Sequence, residues 1–227
     1  DADLAVKNAV DENNYNLARS YFNGQIWENG IVLLEKLHEE NPQALRYATY
    51  LANGYLLVGK FGAARRVVDD IRKVLDRESS QVDMIEGTLL LAEQRPVKAL
   101  ELFRRIEENA GDQPALQLKL ASAYFQLNKF EKALNLLDGV LEMDEEEVGA
   151  WYLSGACYYH IGEYENAVEH LLRAIGLQYY QPIAHFYLGE SLFAMQQYEA
   201  AATALEVCLR VAPAMNLARK RLISIYD

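Results

Sequence analysis

The stretch WYLSGACYYHIGEYENAVEHLLRAIGL, residues 151–177, reads as two short amphipathic helices joined by a tight turn. Trp151, Gly155 and Tyr158 fall on one face of the first helix. Gly162 supplies the turn, Tyr164 enters the second helix, and Ala167, Leu171 and Ala174 line its inner face. Small residues stand where two backbones come close, and large ones where the pair must fill space. Such a hairpin cannot bury its apolar faces alone, so it requires a neighbour on each side.

The rest of the chain supplies those neighbours. Ala18, Ala52, Gly87, Ala121, Gly155 and Gly189 form one column of small residues, and Gly30, Ala64, Ala99, Ala133, Ala167 and Ala201 form a second. Both columns step by 34 residues, with a single step of 35 between the second and third units. A third column, Trp27, Phe61, Pro96, Phe130, Tyr164 and Tyr198, marks the entry to each second helix. Self-similarity at this period is the signature of a stacked-repeat architecture.

The pattern resembles the tetratricopeptide repeat, whose 34-residue unit reads W-x2-L-G-x2-Y…A-x3-F…P. Trp151, Gly155, Tyr158, Ala167 and Leu171 fit it in the fifth unit, and Leu188, Gly189, Ala201, Leu205 and Pro213 in the sixth. Leu17, Ala18, Tyr21 and Pro42 fit it in the first, Leu51, Ala52, Tyr55 and Ala64 in the second, and Leu120, Ala121, Tyr124 and Ala133 in the fourth. The third unit departs most: Glu86 and Leu90 replace the expected Leu and Tyr, while Gly87, Ala99 and Phe103 remain. The resemblance implies an all-α, right-handed superhelical solenoid of about six helix-turn-helix repeats plus a C-terminal capping helix. One solenoid over residues 1–227 is expected, with units at about 11–44, 45–79, 80–113, 114–147, 148–181 and 182–215 and the cap at 216–227.

Local signals agree with this division. Gly24, Gly59, Asn128 and Gly162 sit in the turns and tolerate left-handed backbone geometry. Pro96 opens a second helix, where its missing N–H costs nothing. Pro42, Pro114, Pro182 and Pro213 lie at or near unit boundaries. The extra residue of the long step falls in DRESSQVD, where a change of pitch without a domain break is expected. Residues 3–10 read either as a short helix over the first unit or as the remnant of a linker. Leu217, Leu222, Ile223 and Tyr226 give the cap an apolar side, and Arg219, Lys220 and Arg221 a basic outer one.

Composition narrows the function. Of the 227 residues, 51% are hydrophobic and 24% charged, ordinary values for a folded chain. The net charge of −11 opposes binding to nucleic acid or to an anionic membrane surface. No apolar run reaches the ~18 residues of a membrane span, and DADLAVKNAV lacks the character of a signal peptide. These features point to a cytoplasmic setting. The start without Met is compatible with a piece of a longer protein. Cys157 and Cys208 read as reduced core residues.

In the resembled family the first helices line a concave groove. Its positions include Tyr15, Arg19, Phe22, Asn23 and Asn53 toward the N-terminus, a polar set with two cations once Arg46 is counted. Toward the C-terminus they include Phe125, Tyr152, Tyr159, His160, Phe186, Glu190 and Phe193, an aromatic set. Clustered exposed rings usually mark a contact surface; the competing reading is that they pack on each other or on the cap helix. Arg19, Asn23, Arg46 and Asn53 are the nearest approach to the family's carboxylate clamp, whose Lys residues are missing.

Chemistry finds no foothold. His38 and His170 fall on second helices, His185 packs at the start of a first helix, and His160 lies beside Glu163 near a turn. A solvated or structural His160 outweighs a metal or proton-sharing pair. The run Asp144–Glu147 complements a helix N-terminus as a solvated loop. The pairs Arg65–Arg66 and Arg104–Arg105 are expected to make ion pairs outside the groove. No nucleotide, zinc-protease or serine-hydrolase motif is present, so no catalytic residue, metal or cofactor is expected.

Three readings follow. The first is a non-enzymatic interaction scaffold holding a protein or peptide ligand in its groove. The second is an accessory region packing on a catalytic domain of the same polypeptide. Residues 174–192, AIGLQYYQPIAHFYLGESL, resemble repeat regions attached to bacterial alkaline-phosphatase-superfamily proteins of the phosphodiesterase type. The third is a homo-oligomer that uses the cap helix or groove on itself.

Overall fold

The computed structural model describes residues 2–24, 26–74, 79–110 and 113–226. Among these every regular element is an α-helix, and the helices alternate in role. First helices are α1 (Ala2–Asn23), α3 (Leu45–Leu57), α5 (Ser80–Ala92), α7 (Pro114–Gln126), α9 (Val148–Ile161) and α11 (Pro182–Ala194). Second helices are α2 (Trp27–Glu40), α4 (Phe61–Val74), α6 (Pro96–Ala110), α8 (Phe130–Met143), α10 (Tyr164–Leu177) and α12 (Tyr198–Val211). α13 (Asn216–Tyr226) ends the series. The Trp27-to-Tyr198 column supplies the first residue of every second helix.

Each first helix stops in the same way. The N–H of the residue just before each second helix bonds back to a carbonyl five residues earlier: Ile26 to Tyr21 at 2.8 Å, Lys60 to Tyr55 at 2.8 Å, Arg95 to Leu90 at 2.8 Å, Lys129 to Tyr124 at 2.9 Å, Glu163 to Tyr158 at 3.0 Å and Gln197 to Leu192 at 2.9 Å. In the last five of these turns a left-handed residue stands just before the donor. Gly59 (φ 72°), Gln94 (59°), Asn128 (56°), Gly162 (88°) and Gln196 (63°) supply it. Two of these are glutamines, which carry no turn signal in sequence. Gly24, expected to play this part, does not; its N–H donates to Ser20 at 3.0 Å just past the end of α1.

The interior is a row of matched sizes. Leu34, Val68, Phe103, Leu137, Leu171 and Leu205 on the second helices are all fully buried, as are Ala18, Ala52 and Ala121 in the facing column. Where that column carries Gly, the large residue sits on it. A Cβ at Gly87 would lie 2.4 Å from the Phe103 ring, one at Gly155 2.5 Å from Leu171, and one at Gly189 2.6 Å from Leu205. The largest knob therefore faces a residue with no side chain. Each such knob contributes about 1.5–3 kcal/mol by leaving water.

The helices gather into two compact units, residues 1–109 and 110–227. In the first, α1 is a single helix of 22 residues. Residues 2–10 thus extend the first helix of the first repeat and form neither a separate helix nor a linker, because no helix breaker separates Val10 from Asp11. Arg46 sits over the Tyr15 and Tyr47 rings at 5.1 and 4.7 Å and pairs with Glu12 at 2.8 Å. Further along, Asp83 is buried and bound by Arg72 and by Arg105, the latter at 2.9 Å. Arg72 also reaches Glu86 at 2.9 Å, and Arg65 reaches Glu93 at 2.7 Å. Arg65 and Arg105 do form ion pairs, but into a partly buried network. The extra residue of the long step belongs to a segment of which residues 75–78 lie outside those described.

In the second unit, α13 docks as a further first helix would. Ala218, in register with Ala184 and Ala150, is fully buried with Leu205 and Cys208, and Leu222 and Ile225 pack beside it. The apolar side read from sequence is corrected by this register: Leu217, Ile223 and Tyr226 are 65%, 54% and 66% exposed. Arg221 is corrected too, because it turns inward.

Candidate functional site

Within the second unit a chain of rings crosses the first helices. Phe130, which opens α8, stacks on His160 at 4.9 Å and 5°, and Phe125 meets the same imidazole edge-on at 5.5 Å. His160 continues to Tyr187 at 5.7 Å, and Tyr159 meets Tyr187 at 5.5 Å. The Tyr159 hydroxyl donates to Glu190 Oε2 at 3.2 Å. Arg221 grips the same carboxylate and lies over the Phe193 ring at 4.3 Å, and Phe193 meets Tyr198 at 5.5 Å.

Burial and charge tune these groups. Burial, then the Glu190 charge and hydrogen bond, push the Tyr159 hydroxyl up to about 12, so it is a donor throughout the ordinary pH range. Burial pushes the His160 imidazole down, which favours its neutral, stacking form. Its expected neighbour Glu163 instead accepts from Asn166 at 2.7 Å. Burial raises the Cys157 thiol to about 12 and the Cys208 thiol to about 11, which keeps both protonated.

The sequence-derived residues divide by role. Arg19, Asn23, Asn53 and His160 are exposed, and Phe125, Tyr152, Tyr159, Phe186 and Phe193 are half-buried. Three groove assignments need correction. Tyr15 is buried against Tyr47 and Tyr50, both at 5.4 Å, because α3 closes over it. Phe22 is a spacer: its ring occupies the place of a Cβ at both Gly30 and Gly54, 2.6 Å away in each case. Glu190 is buried and already partnered by Arg221 and Tyr159. Arg221 itself was missed as a site neighbour. The signal existed: it stands in register with Tyr187, whose ring also reaches back onto the preceding first helix.

Between α11 and α13 lies an open cleft of about 300 Å3 lined by Phe186, Glu190, Leu217, Lys220, Arg221 and Ser224. Phe186 and Leu217 share its wall with Lys220, Ser224 and the Glu190–Arg221 ion pair. No group of three or more metal-binding side chains occurs among the described residues.

Models of the tetratricopeptide repeat match residues 12–44, 118–182 and 184–214. The chain belongs to the tetratricopeptide-repeat family. Comparison with curated proteins gives no match. Among solved structures, a chain of the APC/C hetero-tetramer Cut9–Hcn1 superposes with a TM-score of 0.83 at 15% identity, covering 96% of this chain and 43% of that one. This tetratricopeptide-repeat chain thus spans less than half of that relative's length. A tetratricopeptide repeat protein from Parabacteroides merdae gives 0.74 at 12% identity over 94% of this chain and 83% of its own. YrrB, described as a TPR protein with an unusual peptide-binding site, gives 0.53 at 18% identity over 83% of this chain and 96% of its own. Such identities speak for the fold alone. The likeness of residues 174–192 to phosphodiesterase-attached repeats gains no support from these matches.

Proposed function

We propose that this chain is a non-enzymatic interaction module that holds an extended protein segment against its first helices. The observation that carries the reading is the half-exposed aromatic surface of the second unit. Tyr152, Tyr159, Phe186 and Phe193 stay partly in water, while Leu153, Leu188 and Leu192 of the same helices are buried. Rings left in this state gain free energy when a partner covers them, and their stiffness keeps the ordering cost low. His160 is stacked and exposed, with its Nε2 3.4 Å from the Tyr187 hydroxyl. In the first unit Arg19, Asn23 and Asn53 provide exposed polar partners for a peptide main chain. The peptide-binding site named for YrrB supports the reading by analogy.

Affinity purification from the source cell tests it. The chain should retain a set of proteins that Tyr159→Ala/Phe193→Ala no longer retains, with the helical circular dichroism of the variant intact. An unchanged set of partners would remove the main support for this surface.

A further inference from the structure

The contact between a second helix and the next first helix is built in two ways in this chain, and the difference carries an inference independent of the groove. At the α8–α9 contact Leu134 and Leu141 pack in one cluster with Leu153 and Ile161, and at α10–α11 Val168 and Ile175 pack with Leu188. In the repeat register the places of Leu134 and Leu141 fall to Arg65 and Arg72 on α4. Those of Trp151, Ser154 and Ile161 fall to Asp83, Glu86 and Glu93, in and just after α5. Glu93 departs most sharply, since its counterparts are Val58, Leu127, Ile161 and Met195.

The charges match across the contact. Arg65 reaches Glu93 at 2.7 Å and Glu86 at 3.5 Å, while Arg72 reaches Glu86 at 2.9 Å and also binds Asp83. Asp83 is buried and held from its own repeat by Arg105 at 2.9 Å. Beside this network Val67, Val68 and Ile71 of α4 keep an apolar cluster with Val82 and Ile85 of α5.

We propose that the α4–α5 contact is a built-in opening of the first unit, controlled by ionic strength. Ion pairs taken out of water lose hydration, so they hold a contact less firmly than apolar side chains of similar size. Parting the α8–α9 contact puts Leu134, Leu141 and Ile161 against water, whereas parting α4 from α5 exposes guanidinium and carboxylate groups that water hydrates well. Opening also turns paired charges into separate ones, which salt stabilises by screening. Repeat chains part at such places because each repeat meets only its neighbours. α3 also packs on α5 and separates from it with the same opening.

Two matched thiol probes test this. Cys157 and Cys208 are buried, so an added thiol is read over a quiet background. Ile85→Cys places one in the α4–α5 contact and Leu153→Cys one at the corresponding place on α9; both native side chains are 5% exposed. Each variant of the whole chain is reacted with an uncharged maleimide at about 0.05 M and about 1 M NaCl. The thiol of Ile85→Cys should react about fivefold faster at the higher salt, and that of Leu153→Cys less than about twofold faster. Added to Ile85→Cys, the change Arg65→Leu/Arg72→Leu/Glu86→Leu/Glu93→Ile installs the apolar residue types found at these places elsewhere in the chain, and it should remove the salt response. Equal salt responses at the two probes overturn the proposal, and that comparison stands without the fourfold change. A folded fourfold variant that keeps the response overturns it as well.

Discussion

Arg221 on α13 holds Glu190 on α11 through two bonds, Nε to Oε1 at 2.6 Å and Nη2 to Oε2 at 2.8 Å. The carboxylate is buried, and it also accepts from Tyr159 on the preceding first helix. One acidic side chain thereby ties three successive first helices together at the aromatic surface. Arg221→Ala would leave the Glu190 carboxyl buried and bonded by Tyr159 alone. Loss of one partner of a fully buried pair costs ~3–5 kcal/mol, and partial exposure of Arg221 scales this to about 2 kcal/mol. Denaturant unfolding should show that loss, and hydrogen exchange in α13 should quicken. Glu190→Gln should cost less, since an amide survives without the cation.

Gly87 is required by Phe103. Gly87→Ala brings a Cβ to 2.4 Å from the ring, and the overpacking outweighs the gain in helix propensity. A net loss of about 1–2 kcal/mol is expected, relieved in part by Phe103→Leu in the same chain. Gly176→Ala, with nothing within 4 Å, should instead gain up to ~1 kcal/mol. Parallel urea titrations of the three variants check the contrast.

Much of this fold could be read from the chain because it is written several times. A column such as Ala18 to Gly189 repeats one steric demand, so each copy checks the others. Features that depend on a single tertiary contact were hidden. Gln94 and Gln196 take left-handed turns because the closing hydrogen bond demands it, although their residue type gives no hint. Tyr15 was placed in the groove by position, but α3 leans over it and turns it into a core ring. Glu190 holds a groove position by sequence, but α13 docks in the register of a first helix and brings Arg221 onto it. That register was present in the sequence, with Ala218 and Leu222 repeating Ala184 and Leu188, but the cap was read by its composition and not by its phase.

Acid should weaken the fold. Burial pushes His38, His160 and His170 below their ordinary 6.5, with nearby acids offsetting it partly at His38 and His170. As pH falls below the unfolded value, the unfolded chain takes up protons that the native imidazoles refuse. Stability is therefore full above that value and declines as pH drops through the native ones, by at most ~1.4 kcal/mol per pH unit for each His. Thermal melts between about pH 7.5 and about pH 5 should show a falling midpoint. His170, whose Nδ1 is buried without a partner and whose ring lies between Trp151 and Tyr158, is one contributor. His170→Gln should flatten the slope.

The two thiols should be silent in the native protein. Cys157 and Cys208 are buried, and burial raises them to about 12 and about 11. Attack on an aromatic disulfide reagent needs the thiolate. At about pH 8 the folded chain should release almost no colour, and the unfolded chain should react at both cysteines within minutes. Rapid titration of either cysteine in the folded chain would contradict its burial.

The aromatic surface of the second unit as the contact face is tested most directly by mapping a bound peptide. A random phage-displayed library selected on the immobilised chain yields the peptide, and NMR of the labelled chain locates it. Resonances of Tyr152, Tyr159, Phe186 and Phe193 should shift together and saturate with one affinity. Shifts confined to second-helix residues such as Arg66 or Arg173, with those four rings undisturbed, would contradict the assignment.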